Sequence, residues 1–126
     1  MTTFSVVICT YQRADLLKTA LQSLCQQSLD CAEYEVIVID NNSTDHTQAI
    51  AEAFVNRLPN FKYHLEPNQG LSHARNRGWR EAQGTYVAYI DDECKVPGRW
   101  LEAAKRLVDE RNPGVLGGPF FGYHNE

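Results

Sequence analysis

Thr85-Tyr86-Val87-Ala88-Tyr89-Ile90-Asp91-Asp92-Glu93 is the stretch that decides the fold of this 126-residue chain. Its first part is β-branched and aromatic without polar alternation, which is typical of a strand buried in a parallel sheet. Three carboxylates follow, and their charges repel one another unless water, a cation or a partner neutralises them. In open parallel α/β sheets, ligands bind at this end of a strand. The stretch therefore favours a metal-phosphate site over a solvated acidic turn, which would better explain an isolated Asp-Asp-Glu.

Apolar runs and amphipathic segments alternate along the rest of the chain. Strands are predicted over 4–9, 34–39, 61–65 and 85–90, with another beginning at Val115-Leu116 and broken at Gly117-Gly118-Pro119. Helices are predicted over 14–27, from a cap at Ser43 or Thr44 to Arg57, over 71–82, and over 99–110. This order predicts one α/β domain over 1–126, with a mostly parallel sheet covered by helices on both faces.

Composition narrows the class of protein. The net charge of -4 argues against a nucleic-acid partner, which usually meets a basic face. No apolar segment is long enough to span a bilayer, and no signal-peptide pattern follows Met1. The four cysteines form no CxxC pair and no histidine base is recognisably spaced from them, so a Cys-His enzyme is not expected. Cys9, in an apolar run, is expected in the core. We expect a cytoplasmic protein with reduced thiols.

Polar side chains follow three of the predicted strands, at Thr10 to Arg13, Asp40 to Asn42, and Asp91 to Glu93. In a doubly wound sheet these exits lie along one edge and can converge on one ligand. Asp40 suits a ribose hydroxyl or a base edge, whereas Asn42 is also explained by turn chemistry. The acidic exit can hold a divalent cation through one or two carboxylates, with phosphate oxygens and water as the other ligands.

No glycine-rich phosphate loop is present, which leaves phosphate neutralisation to a metal. Arg13 and Arg75 can contact phosphate or a ring; the common alternative for each arginine is a solvated surface side chain.

Four motifs, in order, resemble those of the family 2 inverting glycosyltransferases. They are 5–13 (SVVICTYQR), 36–45 (VIVIDNNSTD), 68–78 (Asn68-Gln69-Gly70 followed by Ala74-Arg75-Asn76-Arg77-Gly78) and 89–93 (YIDDE), the last where that family has its DxD-type motif. The resemblance implies a GT-A (Rossmann-like) fold and a nucleotide-diphosphate sugar donor, by default a UDP-sugar. It also implies transfer with inversion to a hydroxyl acceptor, a saccharide or lipid-linked saccharide.

The resemblance also implies roles for individual residues. The nucleotide-binding set would be Thr10, Tyr11, Arg13, Asp40, Asn42, Arg75 and Asp92, and the Mg²⁺ or Mn²⁺ ligands would be Asp91 and Glu93. If the acidic segment stays extended, Asp91 and Glu93 point the same way and Asp92 points the opposite way. Glu93 stands where the resembled family usually has its final aspartate, which keeps the charge but lengthens the side chain.

The resembled family continues into an acceptor-binding half that carries the general base. We therefore expect 1–126 to be the donor-binding part, which binds a sugar nucleotide without transferring the sugar at a useful rate. The alternative is a non-catalytic nucleotide-sugar-binding module. A response-regulator-like phosphoacceptor is disfavoured, since its paired acids would follow the first strand, where this chain has Thr10-Tyr11-Gln12-Arg13. The expected location is cytoplasmic, or at the inner face of a membrane through the acceptor.

Overall fold

Strands and helices alternate through the computed structural model, which describes residues 2–111 and 121–123. The described elements are β1 (Phe4–Thr10), α1 (Ala14–Leu24), β2 (Tyr34–Asp40), α2 (Thr47–Glu52), β3 (Phe61–Leu65), α3 (Leu71–Glu81), β4 (Tyr86–Asp91), α4 (Trp100–Arg111) and β5 (Phe121–Tyr123). One turn of 3-10 helix at Cys31–Glu33 precedes β2. The predicted strand at Val115-Leu116 and its break at Gly117-Gly118-Pro119 lie outside the described residues.

The described strands form one sheet in the order β3-β2-β1-β4-β5. The first four strands run parallel, and β5 pairs antiparallel with β4. The chain moves outward from β1 to β3 and then crosses back to place β4 beside β1. The strand order therefore reverses between β1 and β4, and such a switch point is where open α/β sheets bind ligands. The predicted mostly parallel α/β sheet is confirmed.

The pleat of the sheet sorts the core into two layers. Phe4, Val6 and Ile8 of β1 pack with α1, α2 and α4, whereas Val7 packs with α3 on the opposite face. Successive residues of a strand point to opposite faces, so the two layers take alternate residues. Helices on both faces, as predicted, make all the parallel strands except the edge strand β3 deeply buried.

Gly78 allows α3 to lie close to the sheet. A Cβ at Gly78 would lie 2.5 Å from Cγ1 of Val7 and 3.5 Å from Cγ1 of Ile39. A glycine inside a helix costs backbone entropy, but here it removes a steric clash with β1. The helix predicted over 71–82 is confirmed as α3, and Gly78 is a packing constraint within it.

Two helices are shorter than predicted. α1 ends at Leu24 rather than Gln27, whose side-chain amide instead binds the carbonyl of Pro97 and the N–H of Leu101. α2 runs only from Thr47 to Glu52. Asp45, rather than Ser43 or Thr44, accepts a hydrogen bond from an N–H of its first turn, that of Thr47 at 3.0 Å.

No helix in the described part of the chain is both long and apolar enough to cross a bilayer.

Candidate functional site

A cavity of about 520 Å³ opens at the carboxyl edge of the sheet, at the switch point between β1 and β4. Its lining residues come from the ends of β1, β2 and β4 and from the start of α3. They are Cys9, Thr10, Tyr11, Arg13, Asn41, Gln69, Gly70, Leu71, Ala74, Asp91, Asp92 and Glu93. Six of the nine site residues predicted from sequence therefore line one cavity: Thr10, Tyr11, Arg13, Asp91, Asp92 and Glu93.

The carboxylate of Asp92 is buried against the end of β1. Its two oxygens accept hydrogen bonds from Oγ1 of Thr10 at 2.9 Å and from Nη1 of Arg13 at 3.3 Å. The guanidinium of Arg13 is half exposed, so it offsets the charge of Asp92 while still facing the cavity. A buried carboxylate needs such partners because desolvation otherwise penalises its charged form.

Asp91 and Glu93 are the exposed members of the acidic exit. The chain turns after Asp91, whose carbonyl accepts a hydrogen bond from the N–H of Cys94 at 3.0 Å. The acidic segment is therefore not extended, so the premise of the prediction is wrong. The turn nevertheless leaves Asp91 and Glu93 exposed and Asp92 buried, which agrees with the predicted separation of Asp92 from the other two carboxylates. Both exposed carboxylates line the cavity, and carboxylate oxygens are ligands that Mg²⁺ and Mn²⁺ accept.

No group of three or more His, Cys, Asp or Glu side chains within residues 2–111 and 121–123 is arranged to hold a metal ion.

Asn41 is a site residue that sequence reasoning missed. Its Nδ2 donates to the carbonyls of Asn68 at 2.9 Å and Glu66 at 3.2 Å, and its Oδ1 accepts from the N–H of Gly70 at 2.9 Å. The amide thus fastens the segment between β3 and α3 against the end of β2. Gln69 and Gly70, in that segment, form part of the cavity wall. The only signal in the sequence is the position of Asn41 directly after a buried strand, within the exit Asp40 to Asn42.

Glu66 also holds the segment between β3 and α3 in place. Its Oε2 accepts from the N–H of Asn68 at 3.0 Å, and its Oε1 lies 3.5 Å from Nη1 of Arg77. The hydrogen bond from Asn68, followed by the charge of Arg77, keeps the pKa of Glu66 below its ordinary value.

Asp40 does not line the cavity. It is buried, with Oδ1 accepting from the N–H of Ser43 at 2.9 Å and Oδ2 accepting from the hydroxyl of Tyr63 at 2.6 Å. Burial, followed by the hydrogen bond to Asp40, raises the pKa of Tyr63. The carboxylate therefore ties β2 to β3 and to its own turn.

Asn42 and Arg75 also lie outside the cavity lining. Asn42 has a φ of 71°, which asparagine tolerates in tight turns. Arg75 is exposed on α3. Burial raises the pKa of the Cys9 thiol and of the Tyr89 hydroxyl, and the positive charge of Arg75 opposes that increase.

Cys9, expected in the core, is half-buried and lines the cavity. Burial raises its pKa to about 12 despite the opposing charge of Arg75. The thiol therefore stays protonated at neutral pH, and a protonated thiol is a poor nucleophile.

Comparison with known proteins points to one family. The sequence profile of "Glycosyl transferase family 2" matches residues 5–126. Glycosyltransferase AglE of Haloferax volcanii is 31% identical over 115 residues, which are 90% of this chain and 38% of AglE.

Solved structures agree in fold. Staphylococcus aureus TarS in complex with UDP-GlcNAc superposes with a TM-score of 0.86 at 29% identity, over 94% of this chain and 37% of that one. The mannosyltransferase PcManGT of Pyrobaculum calidifontis, in complex with GDP-Man and Mn²⁺, gives a TM-score of 0.79 at 27% identity, over 89% and 34%. The chain thus spans little more than a third of AglE and of these two solved chains, and about a fifth of the full length of TarS. Its fold is the predicted GT-A fold.

Proposed function

The chain belongs to glycosyl transferase family 2, and from that premise we propose that its cavity binds a nucleotide-diphosphate sugar, by default a UDP-sugar. One observation carries the proposal. At the switch point, Thr10 and Arg13 hold Asp92 inward while Asp91 and Glu93 stay exposed in the same cavity. A diphosphate entering there meets a cation-binding pair of carboxylates and a half-exposed guanidinium. The complexes of TarS with UDP-GlcNAc and of PcManGT with GDP-Man support a nucleotide sugar as the ligand class.

The cavity wall suggests a role for each lining group. Tyr11, which is 46% exposed, offers a ring face to the base. Thr10 and Asp92 form the floor toward the ribose, and Arg13 approaches the phosphates. Asn41 holds the opposite wall. We place Asp40, Asn42 and Arg75 outside the contact set because they do not line the cavity.

We propose that Asp91 and Glu93 hold Mg²⁺ or Mn²⁺, with diphosphate oxygens and water as further ligands. The donor set fits, since hard divalent cations prefer carboxylate oxygens. When bound, the cation would supply positive charge to the diphosphate leaving group. The chain's own contribution is to bury Asp92 and to engage its oxygens with Thr10 and Arg13, so that Asp91 and Glu93 remain the exposed pair.

The reaction proposed for the whole protein is transfer of the sugar, with inversion, to a hydroxyl of a saccharide or lipid-linked saccharide. The second candidate is a nucleotide-sugar-binding module without transfer, since the described cavity accounts for donor binding alone. Turnover of the bound donor in the presence of hydroxyl acceptors separates the two. The proposed location stays cytoplasmic, or at the inner face of a membrane through the acceptor.

UDP binding should depend on the cation. In calorimetric titrations, we expect UDP to bind in Mn²⁺ or Mg²⁺ and to bind roughly tenfold or more weakly in EDTA. Without the cation, the carboxylates of Asp91 and Glu93 repel the negatively charged diphosphate. Asp91→Asn and Glu93→Gln should each weaken binding in Mn²⁺ and reduce the effect of EDTA.

Asp15→Asn is the matched control, since the Asp15 side chain is 96% exposed on α1 and outside the cavity lining. Equal UDP affinity in Mn²⁺ and EDTA would remove the metal from the proposal. Absence of binding by any nucleoside diphosphate would remove the function itself.

A further inference from the structure

Gln12 has an unusual backbone for its residue type. Among the described non-glycine residues, only Gln12, Asn42 and Asn60 have positive φ, and the φ of Gln12 is 55°. Asparagine adopts this left-handed region readily, whereas glutamine does so seldom. Gln12 lies between Tyr11 and Arg13, which both line the cavity. Strained residues persist only where the surroundings enforce them, and they cluster at functional sites.

Four hydrogen bonds enforce this conformation, all to the segment between β2 and α2. The N–H of Gln12 donates to Oγ of Ser43 at 2.9 Å, and its Nε2 donates to Oγ1 of Thr44 at 2.7 Å. Its Oε1 accepts from the N–H groups of Thr44 and Asp45, each at 3.1 Å. The side chain thus uses its donor and its acceptor together, and with the backbone N–H it ties Gln12 at φ 55° to one segment.

These bonds contribute little to global stability, because Gln12 and Thr44 are both solvent-exposed. Water replaces such bonds at small cost when they break. Their consequence is local: they fix the chain direction on both sides of Gln12. Tyr11 then faces the cavity, and Arg13 reaches Asp92 at 3.3 Å.

We propose that Gln12 is a positioning residue, which acts through Tyr11 and Arg13 to pre-form the nucleotide side of the cavity. The inference rests on the proposed function, since it concerns how the same cavity binds UDP. It predicts that the polar bonds of Gln12 govern ligand affinity more than folding. A loop that merely stabilises the fold would show the reverse.

Gln12→Gly is the sharpest variant. Glycine adopts a φ of 55° without strain, so stability should hold or rise while the side-chain bonds are lost. UDP affinity in Mn²⁺ is expected to fall roughly three- to tenfold, because Tyr11 and Arg13 must be ordered on binding. Ser43→Ala removes only the acceptor of the Gln12 N–H, and should weaken UDP by a smaller factor of about two.

Gln48→Ala is the matched control. Gln48 is also exposed and donates a side-chain hydrogen bond, to Glu52 at 2.9 Å, but it lies on α2 outside the cavity lining. Its UDP affinity and melting temperature should stay within error of the parent protein. Affinity and melting temperature are measured on the same preparations of all variants.

A double-mutant cycle then tests the mechanism. In a Tyr11→Ala, Arg13→Ala background, Gln12→Gly should change UDP affinity less than about twofold, since the side chains that it positions are gone. An equal effect in both backgrounds, or unchanged affinity in Gln12→Gly alone, overturns the inference. Failure of the parent protein to bind UDP instead overturns the proposed function, so the two failures are distinguishable.

Discussion

At the scale of single residues, Asp40 and Asn41 show how the pleat of a strand gives neighbouring residues different contacts. Successive residues at the end of β2 point to opposite faces. Asp40 follows Val38 toward the α1 and α2 side, where it meets Tyr63, whereas Asn41 follows Ile39 toward α3 and the cavity. The sequence identifies both residues as a strand exit. The sequence could not show which of them faces the cavity, because that depends on which face of the sheet α3 covers.

Asp40→Ala should destabilise the fold rather than the complex. The substitution leaves the Tyr63 hydroxyl and the Ser43 N–H without their acceptor, which should cost about 1–3 kcal/mol of unfolding free energy. UDP affinity per folded molecule should change less than about twofold, since Asp40 does not line the cavity. Denaturant unfolding and calorimetry on the same protein measure the two quantities.

Tyr63→Phe serves as the companion variant, because it deletes only the donor of the 2.6 Å bond to Asp40. It should cost less than Asp40→Ala and leave UDP binding intact. A large loss of UDP affinity in Asp40→Ala with unchanged unfolding free energy would instead support the direct nucleoside contact predicted from sequence.

At the scale of elements, Asp45 serves the first turns of two helices. Its Oδ1 accepts from the backbone and side chain of Thr47 in α2, and its Oδ2 accepts from the N–H of Ala14 in α1 at 3.4 Å. The cap residue of α1, Arg13, makes no side-chain cap bond of its own. The local pattern predicted a cap for α2 at Ser43 or Thr44, which places the start of the helix too early. It could not predict the bond to α1, which joins residues 31 positions apart.

Asp45→Ala should therefore show a pH-dependent loss of stability. The Thr47 hydroxyl, followed by the other bonds, keeps the pKa of Asp45 below its ordinary value of 3.8. A carboxylate whose pKa is lowered by folding contributes its full stabilisation when the pH is above the ordinary pKa of the group. This contribution disappears as the pH falls through the pKa of the folded state. The deficit of Asp45→Ala should be at most about 1 kcal/mol at pH about 5, because Asp45 is exposed and solvent screens its charge, and it should shrink toward pH about 2.5.

Asp15→Ala, on the exposed side of the first turn of α1, provides the comparison. Its deficit should be smaller at every pH, because its carboxylate is 96% exposed. Chemical denaturation across the acid range measures both variants. A deficit for Asp45→Ala that is constant with pH would show that the lost stability does not come from the charged carboxylate.

At the scale of the whole molecule, the segments that follow the four parallel strands are fastened to one another. Gln12 joins the β1 exit to the β2 exit, Asn41 joins the β2 exit to the β3 exit, and Asp92 joins the β4 exit to Thr10 and Arg13. The sequence predicted that three of these exits meet, because parallel strands end at one edge. The side-chain hydrogen bonds between the exits could not be predicted from the sequence, since they link residues 25 to 82 positions apart and depend on the finished fold.

This linkage predicts how UDP changes hydrogen exchange across the molecule. If the exits open together, an opening that exposes one of them must also release the ligand. Exchange through such openings then slows by the factor 1 + [L]/Kd, up to about 100-fold at a hundredfold excess over Kd. In Mn²⁺ and UDP, we expect slower amide exchange not only over 10–13 and 91–94, but also over 43–45. Ser43, Thr44 and Asp45 do not line the cavity, so direct contact cannot explain protection there.

Peptides from α4 are the internal control, because that helix contributes no residue to the cavity lining. Gln12→Gly should remove the slowing over 43–45 and retain it over 91–94, since it breaks the side-chain bonds between the β1 and β2 exits and leaves the bond between Thr10 and Asp92. Slowing confined to 10–13 and 91–94 in the parent protein would show that the exits open independently. Each loop would then recognise the nucleotide separately, and the hydrogen bonds between the loops would have only a local effect.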